Sequence, residues 1–178
     1  VIVGSNPLSR LIGKIFKDRG ESMVLIDTDE ESCKQAETEG LQAYKSSALD
    51  VNVLEEAGLE SVGTFLAMTN NGEVNLVLAQ RAAEEFKPPR VLAVYPKSPQ
   101  QKNQNNKEKV QQAFMTELNL KNWNQYLDDK EVKLGETVLK ELGFEFQKNH
   151  LRTLIKSGEL IPLLIERQGS LQVLPALS

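Results

Sequence analysis

A glycine and a run of helix-starting residues, Gly4-Ser5-Asn6-Pro7-Leu8-Ser9, directly follow the apolar stub Val1-Ile2-Val3. Such a strand–turn–helix junction is where a dinucleotide's pyrophosphate reaches a helix N-terminus, because glycines permit the tight turn and a close backbone approach. The run is a worn G-x-G-x-x-G, with Asn6 at the second glycine and Ser9 at the third. Asp27 ends the next apolar run, twenty-three residues after Gly4, near the interval at which an acid takes the ribose hydroxyls. Two readings stay open. Either the loop binds a nucleotide, or the fold is inherited without its ligand and Asp27 caps a helix or is solvated. Asn6-Pro7 bears on the choice. Pro suits the first helical position and Asn the cap before it, so the Asn6 side chain is expected to accept from the amide of Leu8 or Ser9. A phosphate would then have to displace that bond. An adenine mononucleotide is expected to bind better than NAD, and NADP worst, since Asp27 would repel a 2′-phosphate.

Other chemistry is sparse. Tyr126 and Lys130 have the Tyr-x-x-x-Lys spacing of the short-chain dehydrogenases' acid/base pair, in which the lysine lowers the tyrosine's pKa. Those enzymes also need a serine about a dozen residues upstream, and this chain has Gln112, Ala113 and Phe114 there. Catalysis is therefore not expected. The single histidine, His150, puts a two-histidine metal site out of reach, and the single cysteine, Cys33, excludes an intramolecular disulfide. Cys33 lies in an acidic stretch and is not expected to be activated as a nucleophile. A formal net charge of −4 over 178 residues disfavours binding to a phosphate backbone. Apolar runs fall far short of the roughly 20 residues that span a bilayer, and no basic-then-apolar leader stands at the start. The chain reads as a cytosolic piece of something longer.

The elements that must hold the loop are legible from periodicity. Leu8, Leu11, Ile12, Ile15 and Phe16 recur at helical spacing before Gly20, and Met23 to Ile26 is apolar throughout, as in a strand covered on both faces. Asp29, Glu30 and Glu31 open a helix that Gly40 closes. Leu41 to Tyr44 is expected to be a strand, Val51 to Ala57 a short helix, and Thr64 to Met68 a fourth strand. A long helix with Val74, Val77, Leu78 and Ala82 on one side then runs to Pro88-Pro89, and Val91 to Tyr95 is the fifth strand. This alternation implies an α/β, Rossmann-like, doubly wound parallel sheet over residues 1–98. Residues 99–112, rich in Gln and Asn, are expected to form a polar linker or surface helix. Residues 113–178 are expected to be a small α+β appendage. Its expected strands are Ala113 to Leu118 and Glu131 to Leu134, with a short helix carrying Trp123 and Tyr126 and another over His150 to Lys156. A hairpin is expected to turn at Gln168-Gly169-Ser170.

Gly4 to Gly20, Val24-Leu25-Ile26-Asp27, Glu55 to Leu59 and the run Met68-Thr69-Asn70-Asn71-Gly72-Glu73-Val74-Asn75-Leu76 resemble TrkA N-terminal (regulator of potassium conductance) domains. These are cytosolic, nucleotide-sensing modules of potassium channels, potassium uptake systems and cation/proton antiporters. Lys133 to Thr137 and the final hairpin are similar, more weakly, to cytosolic tails of bacterial sodium/proton antiporters. The resemblance implies that Gly4, Ser5, Asn6, Pro7, Leu8 and Ser9 face phosphates, and that Asp27 with Thr28 meets the ribose. It places Ser46, Ser47 and Ala48 by the adenine and Thr69 and Asn70 in the cleft. The family usually has Gly-Asp-Ala where this chain has Ser46-Ser47-Ala48. The implied function is regulation of a monovalent cation transporter at the cytoplasmic face of a bacterial inner membrane. The chain would sense an adenine nucleotide (AMP, ADP, ATP or NAD(H)) or act through assembly. A ligand-free dimerisation module and an NAD-dependent oxidoreductase are the alternatives. Expected partners are a transmembrane transporter domain and a second copy, with an exposed apolar patch on the α/β domain or the hairpin.

Overall fold

The computed structural model describes residues 1–47, 50–58, 63–96 and 109–176. The first half alternates β1 (Ile2–Val3), α1 (Pro7–Asp18), β2 (Val24–Asp27), α2 (Glu30–Thr38), β3 (Gln42–Lys45), α3 (Val51–Glu56), β4 (Thr64–Ala67), α4 (Gly72–Glu85) and β5 (Arg90–Ala93). There follow β6 (Gln111–Gln112), α5 (Leu120–Asp128), α6 (Phe144–Lys156), β7 (Leu164–Arg167) and β8 (Ser170–Val173). Six strands form one sheet in the order β3-β2-β1-β4-β5-β6, every pair parallel. That is the Rossmann order, and its direction of growth reverses between β1 and β4.

Side chains alternate across the sheet, which is why its strands are apolar at almost every position. Val3, Val24, Ile26, Phe65, Ala67, Val91 and Ala93 join Leu54 of α3 and Leu78, Ala79, Ala82 and Ala83 of α4 in one core. Ile2, Leu25, Leu66 and Leu92 point the other way, onto Leu8 and Ile12 of α1 and Ala36 of α2. The apolar stripe of α4 differs from the expected one: Val74 and Val77 are exposed, and small residues around Asn75 and Leu78 face the sheet. Alanines let the helix lie close, so bulk was a poor guide to the buried side. Helices α1 to α5 each start on an Asn or Asp whose side-chain oxygen accepts a first-turn amide: Asn6, Asp29, Asp50, Asn71 and Asn119.

Beyond residue 108 two expected strands are corrected. The strand expected at Ala113 to Leu118 lies instead at Gln111–Gln112, where it extends the parallel sheet beside β5. Phe114 has φ 63, which breaks the extended run there. Glu131 to Leu134 carries no strand. The expected linker falls partly on residues 99–108, outside the described residues, and ends in β6. The hairpin forms as expected, with Gln168 (φ 51) and Gly169 (φ 78) both left-handed, the two-residue turn that suits the twist of paired strands. Its outgoing end covers the sheet edge: Phe114 N–H donates to Leu174 O at 2.8 Å and Ala176 N–H to Gln112 O at 2.8 Å. Val173, Phe114 and Leu120 complete the second core. Helix α6 buries none of its residues. Before and within it Leu134, Val138, Leu142 and Phe146 stand exposed, Leu142 at 94%.

Candidate functional site

The crevice lies where the strand order reverses, outside the carboxyl ends of β1 and β4. Gly4 leaves β1 with φ 102, and a Cβ there would meet Met68 O and Thr69 N, both at 2.8 Å. Only glycine fits, because the loop after β1 rests directly on the backbone after β4. Asn6 ties the two loops together. Its Nδ2 donates to Met68 O at 2.9 Å while its Oδ1 accepts from Ser9 N–H at 3.1 Å. Ser9 answers in kind, since Asn6 N–H donates to Ser9 Oγ at 2.8 Å. The Asn6 cap expected from sequence is therefore present, on Ser9 rather than Leu8, with Pro7 opening the helix.

The amide of Leu8 has a distant partner: it donates to Asn124 Oδ1 of α5 at 2.9 Å, across 116 residues. Ser5 N–H donates to Asp27 Oδ2 at 2.7 Å, Arg10 N–H enters the helical ladder on Asn6 O, and Pro7 has no N–H. Each backbone donor from Ser5 to Arg10 is thus already engaged, and Ser5, Asn6, Leu8 and Ser9 are all buried. A bound phosphate would have to displace at least one of these bonds, each worth about 1 kcal/mol.

Asp27 ends β2 half-buried and holds the loop rather than capping α2 or lying free. Its Oδ1 accepts from Asp29 N–H at 2.8 Å while Oδ2 takes Ser5. A carboxylate offers about four acceptor positions, and these two bonds use one on each oxygen. Asp29 caps α2, and the Ser32 hydroxyl and amide hold its carboxyl below the ordinary value. Ser5 Oγ donates to Ser32 O at 3.0 Å. Lys34 and then Lys45 reach Glu30, at 2.8 and 2.9 Å, and lower its pKa. Burial, then the nearby Asp27 charge, pushes the Cys33 thiol up.

Ser46 stands beside Asp27, with its N–H on Asp27 O at 2.8 Å. Thr28 and Ser47 are exposed at the same rim. Ala48 lies outside the described residues. Thr69 is fixed by Asn75, a fully buried side chain that was not among the expected site residues. Asn75 Oδ1 accepts from Thr69 N–H at 2.8 Å and Thr69 Oγ1 at 2.6 Å. Its Nδ2 donates to Thr69 O at 3.0 Å and Val94 O at 2.7 Å. Asn70 is exposed beside it. The expected residues that are described thus gather at the ends of β1 to β4. Tyr126 and Lys130 do not form a helical pair, because α5 ends at Asp128 and Lys130 turns left-handed at φ 58. Asn124 was missed altogether, and no local pattern marks it.

A family model for the TrkA-N domain matches residues 1–116. A Trk system potassium uptake protein TrkA homolog from Methanothermobacter thermautotrophicus is 30% identical over 95 residues, which are 52% of this chain and 43% of that protein. The chain thus spans less than half the length of this relative. Among solved structures, the NAD(P)-binding domain of an exopolyphosphatase-related protein from Archaeoglobus fulgidus superposes with a TM-score of 0.51 at 17% identity, over 88% of this chain and 96% of that one. The TrkA-N domain of the inner membrane protein ybaL from Escherichia coli gives 0.49 at 14% identity, over 88% and 93%. Among the described residues no helix is long and apolar enough to cross a membrane.

Proposed function

The chain belongs to the TrkA-N domain family, and from that membership we propose that it is the regulatory domain of a monovalent cation transport system, reading an adenine nucleotide without converting it. The observation that carries the reading is Asp27, whose carboxylate stands at the mouth of the Gly4 loop with acceptor positions to spare. A ribose diol fits that acid. The phosphate loop beside it has no unengaged amide, so the ligand leans on Asp27 more than on the loop. This favours AMP or ADP over NAD, and disfavours NADP. Among the described residues the crevice brings together no acid–base pair that would carry a hydride or acyl transfer.

The partner is a transmembrane transporter domain of the same or a companion chain, at the cytoplasmic face of a bacterial inner membrane. The name of the Methanothermobacter relative, a potassium uptake protein, supports a cation-transport partner. A second copy is the other partner, and the exposed apolar side chains Leu134, Val138, Leu139, Leu142 and Phe146 support it. These lie ahead of and within α6 rather than on the hairpin, while Val74 and Val77 are exposed on α4 of the α/β domain. A ligand-free assembly role is the second reading, favoured by the fully engaged loop.

A thermal-shift screen with AMP, ADP, ATP, NAD and NADH separates the two. A ligand at 100 times its dissociation constant adds about 2.7 kcal/mol of stability. A shift with AMP or ADP that exceeds that with NAD supports nucleotide sensing. No shift with any of them leaves assembly alone, and turnover of NAD(H) with a carbonyl or alcohol substrate overturns both.

A further inference from the structure

Three of the four side-chain bonds that close the loop come from the loop's own neighbourhood: Asn6 serves Ser9, Ser9 serves Asn6, and Asp27 serves Ser5. The fourth comes from Asn124 on α5. Its amide oxygen accepts from α1's first-turn N–H, as a phosphate oxygen does when it binds a helix N-terminus. Resting on the reading of the crevice as a nucleotide site, we infer that α5 is an internal competitor for that site: Asn124 holds the Leu8 amide when the crevice is empty, and nucleotide phosphate takes it only when α5 undocks.

The build of α5 suits the role. It has nine residues, too few to be stable alone, and only Leu120 and Asn124 of it are buried. The chain on either side, residues 115–119 and 129–143, has no regular secondary structure beyond turns. Losing the Asn124 contact therefore leaves Leu120 as the one buried anchor of a short element, with Leu127 half-buried on the same core. The segment that follows carries Leu134, Val138 and Leu142, all exposed, so undocking α5 moves the region that offers apolar surface to a partner. Linkage is reciprocal: whatever binds the undocked segment raises the affinity of the crevice, and an occupied crevice releases the segment.

Two substitutions push the contact in opposite directions. Asn124→Ala removes the acceptor. Asn124→Asp keeps an acceptor for Leu8 and adds negative charge beside α1's N-terminus, which stabilises docking and repels phosphate. Calorimetry with ADP is expected to show binding at least about five-fold tighter to Asn124→Ala than to the wild type, the lower end of such couplings, and weaker to Asn124→Asp. Adenosine, which has no phosphate, is expected to bind all three alike. Amide exchange at Leu8 is expected to quicken in Asn124→Ala while Ser9 stays protected. Trp123, the chain's single tryptophan and edge-on to Tyr126 at 5.8 Å, reports undocking by fluorescence when ADP is added to the wild type. Equal ADP affinity in all three chains overturns the competition and leaves the nucleotide reading standing. So do adenosine affinities that follow those for ADP. Binding of ADP and adenosine to none of the three overturns the nucleotide reading, and the competition with it.

Discussion

Replacing Asn75 by Asp changes one buried atom. The side chain is fully buried, and its Nδ2 donates to two carbonyls, Thr69 O and Val94 O. An oxygen in that place faces both carbonyls with nothing to donate unless the carboxyl takes a proton. Once protonated it satisfies one carbonyl and leaves the other bare, a loss of about 1–3 kcal/mol. Ionised, it is a desolvated charge whose only support is the pair of bonds from Thr69, so the folded pKa rises well above the unfolded value of about 3.9. A carboxyl raised in this way is tolerated below its unfolded pKa. The variant's deficit then grows as pH rises to the folded pKa, by about 1.4 kcal/mol per pH unit, and levels off above it. If burial raises the pKa to about 6, the deficit at pH 7 is about 4–6 kcal/mol, against about 1–3 kcal/mol near pH 4. Urea unfolding of wild type and variant at half-unit steps from pH 4 to 8 measures the difference. Asn75→Ala serves as control, with a loss of about 2–5 kcal/mol that does not vary with pH. Parallel stability curves for wild type and Asn75→Asp would refute the four-bond account of this side chain.

Gly4→Ala is expected to lose about 3–5 kcal/mol in urea unfolding, since a left-handed φ and an overlap with two backbone atoms add together; a loss under about 1 kcal/mol would mean that the loop lifts off β4 at little cost. Cys33, buried and with its thiol pushed up, is expected to react with Ellman's reagent at least about ten-fold more slowly than free cysteine until urea unfolds the chain. A fast burst in native buffer would count against it. Asp29 owes its lowered pKa first to the Ser32 hydroxyl. Its contribution to stability is present above the ordinary carboxylate value and is lost as pH falls through the lowered folded one. Ser32→Ala should move its carboxyl titration, followed by NMR, upward toward 3.8, and an unmoved titration would contradict that assignment.

The order of elements up to Ala93 was legible because a parallel sheet covered on both faces writes its strands as unbroken apolar runs, and Gly20 and Gly40 close the helices between them. The loop was legible through Asn6 and Pro7, whose capping preferences are local. What lay beyond reading was settled by backbone or by distance. Gln111 and Gln112 pair through main-chain groups at a sheet edge, so their side chains carry no strand signal. Asn75 sits among Val74, Val77 and Leu78, and nothing in that spacing says that the asparagine is the buried member. Asn124 meets Leu8 across 116 residues of chain, a distance that no local pattern spans.

The bridge between Ala113 and Pro175 has a consequence for the chain's birth. The β6 edge of the parallel sheet is covered by residues made about sixty positions later, which at ribosomal speed is roughly 3–12 seconds. During that interval the nascent protein presents an unpaired strand edge, the kind of surface that recruits other strands. Exposure is blunted by the edge's own make-up: β6 is two residues long, both glutamines, too short and too polar to template a neighbour. Tolerating that wait on the ribosome is a reason for a sheet to end on so slight a strand.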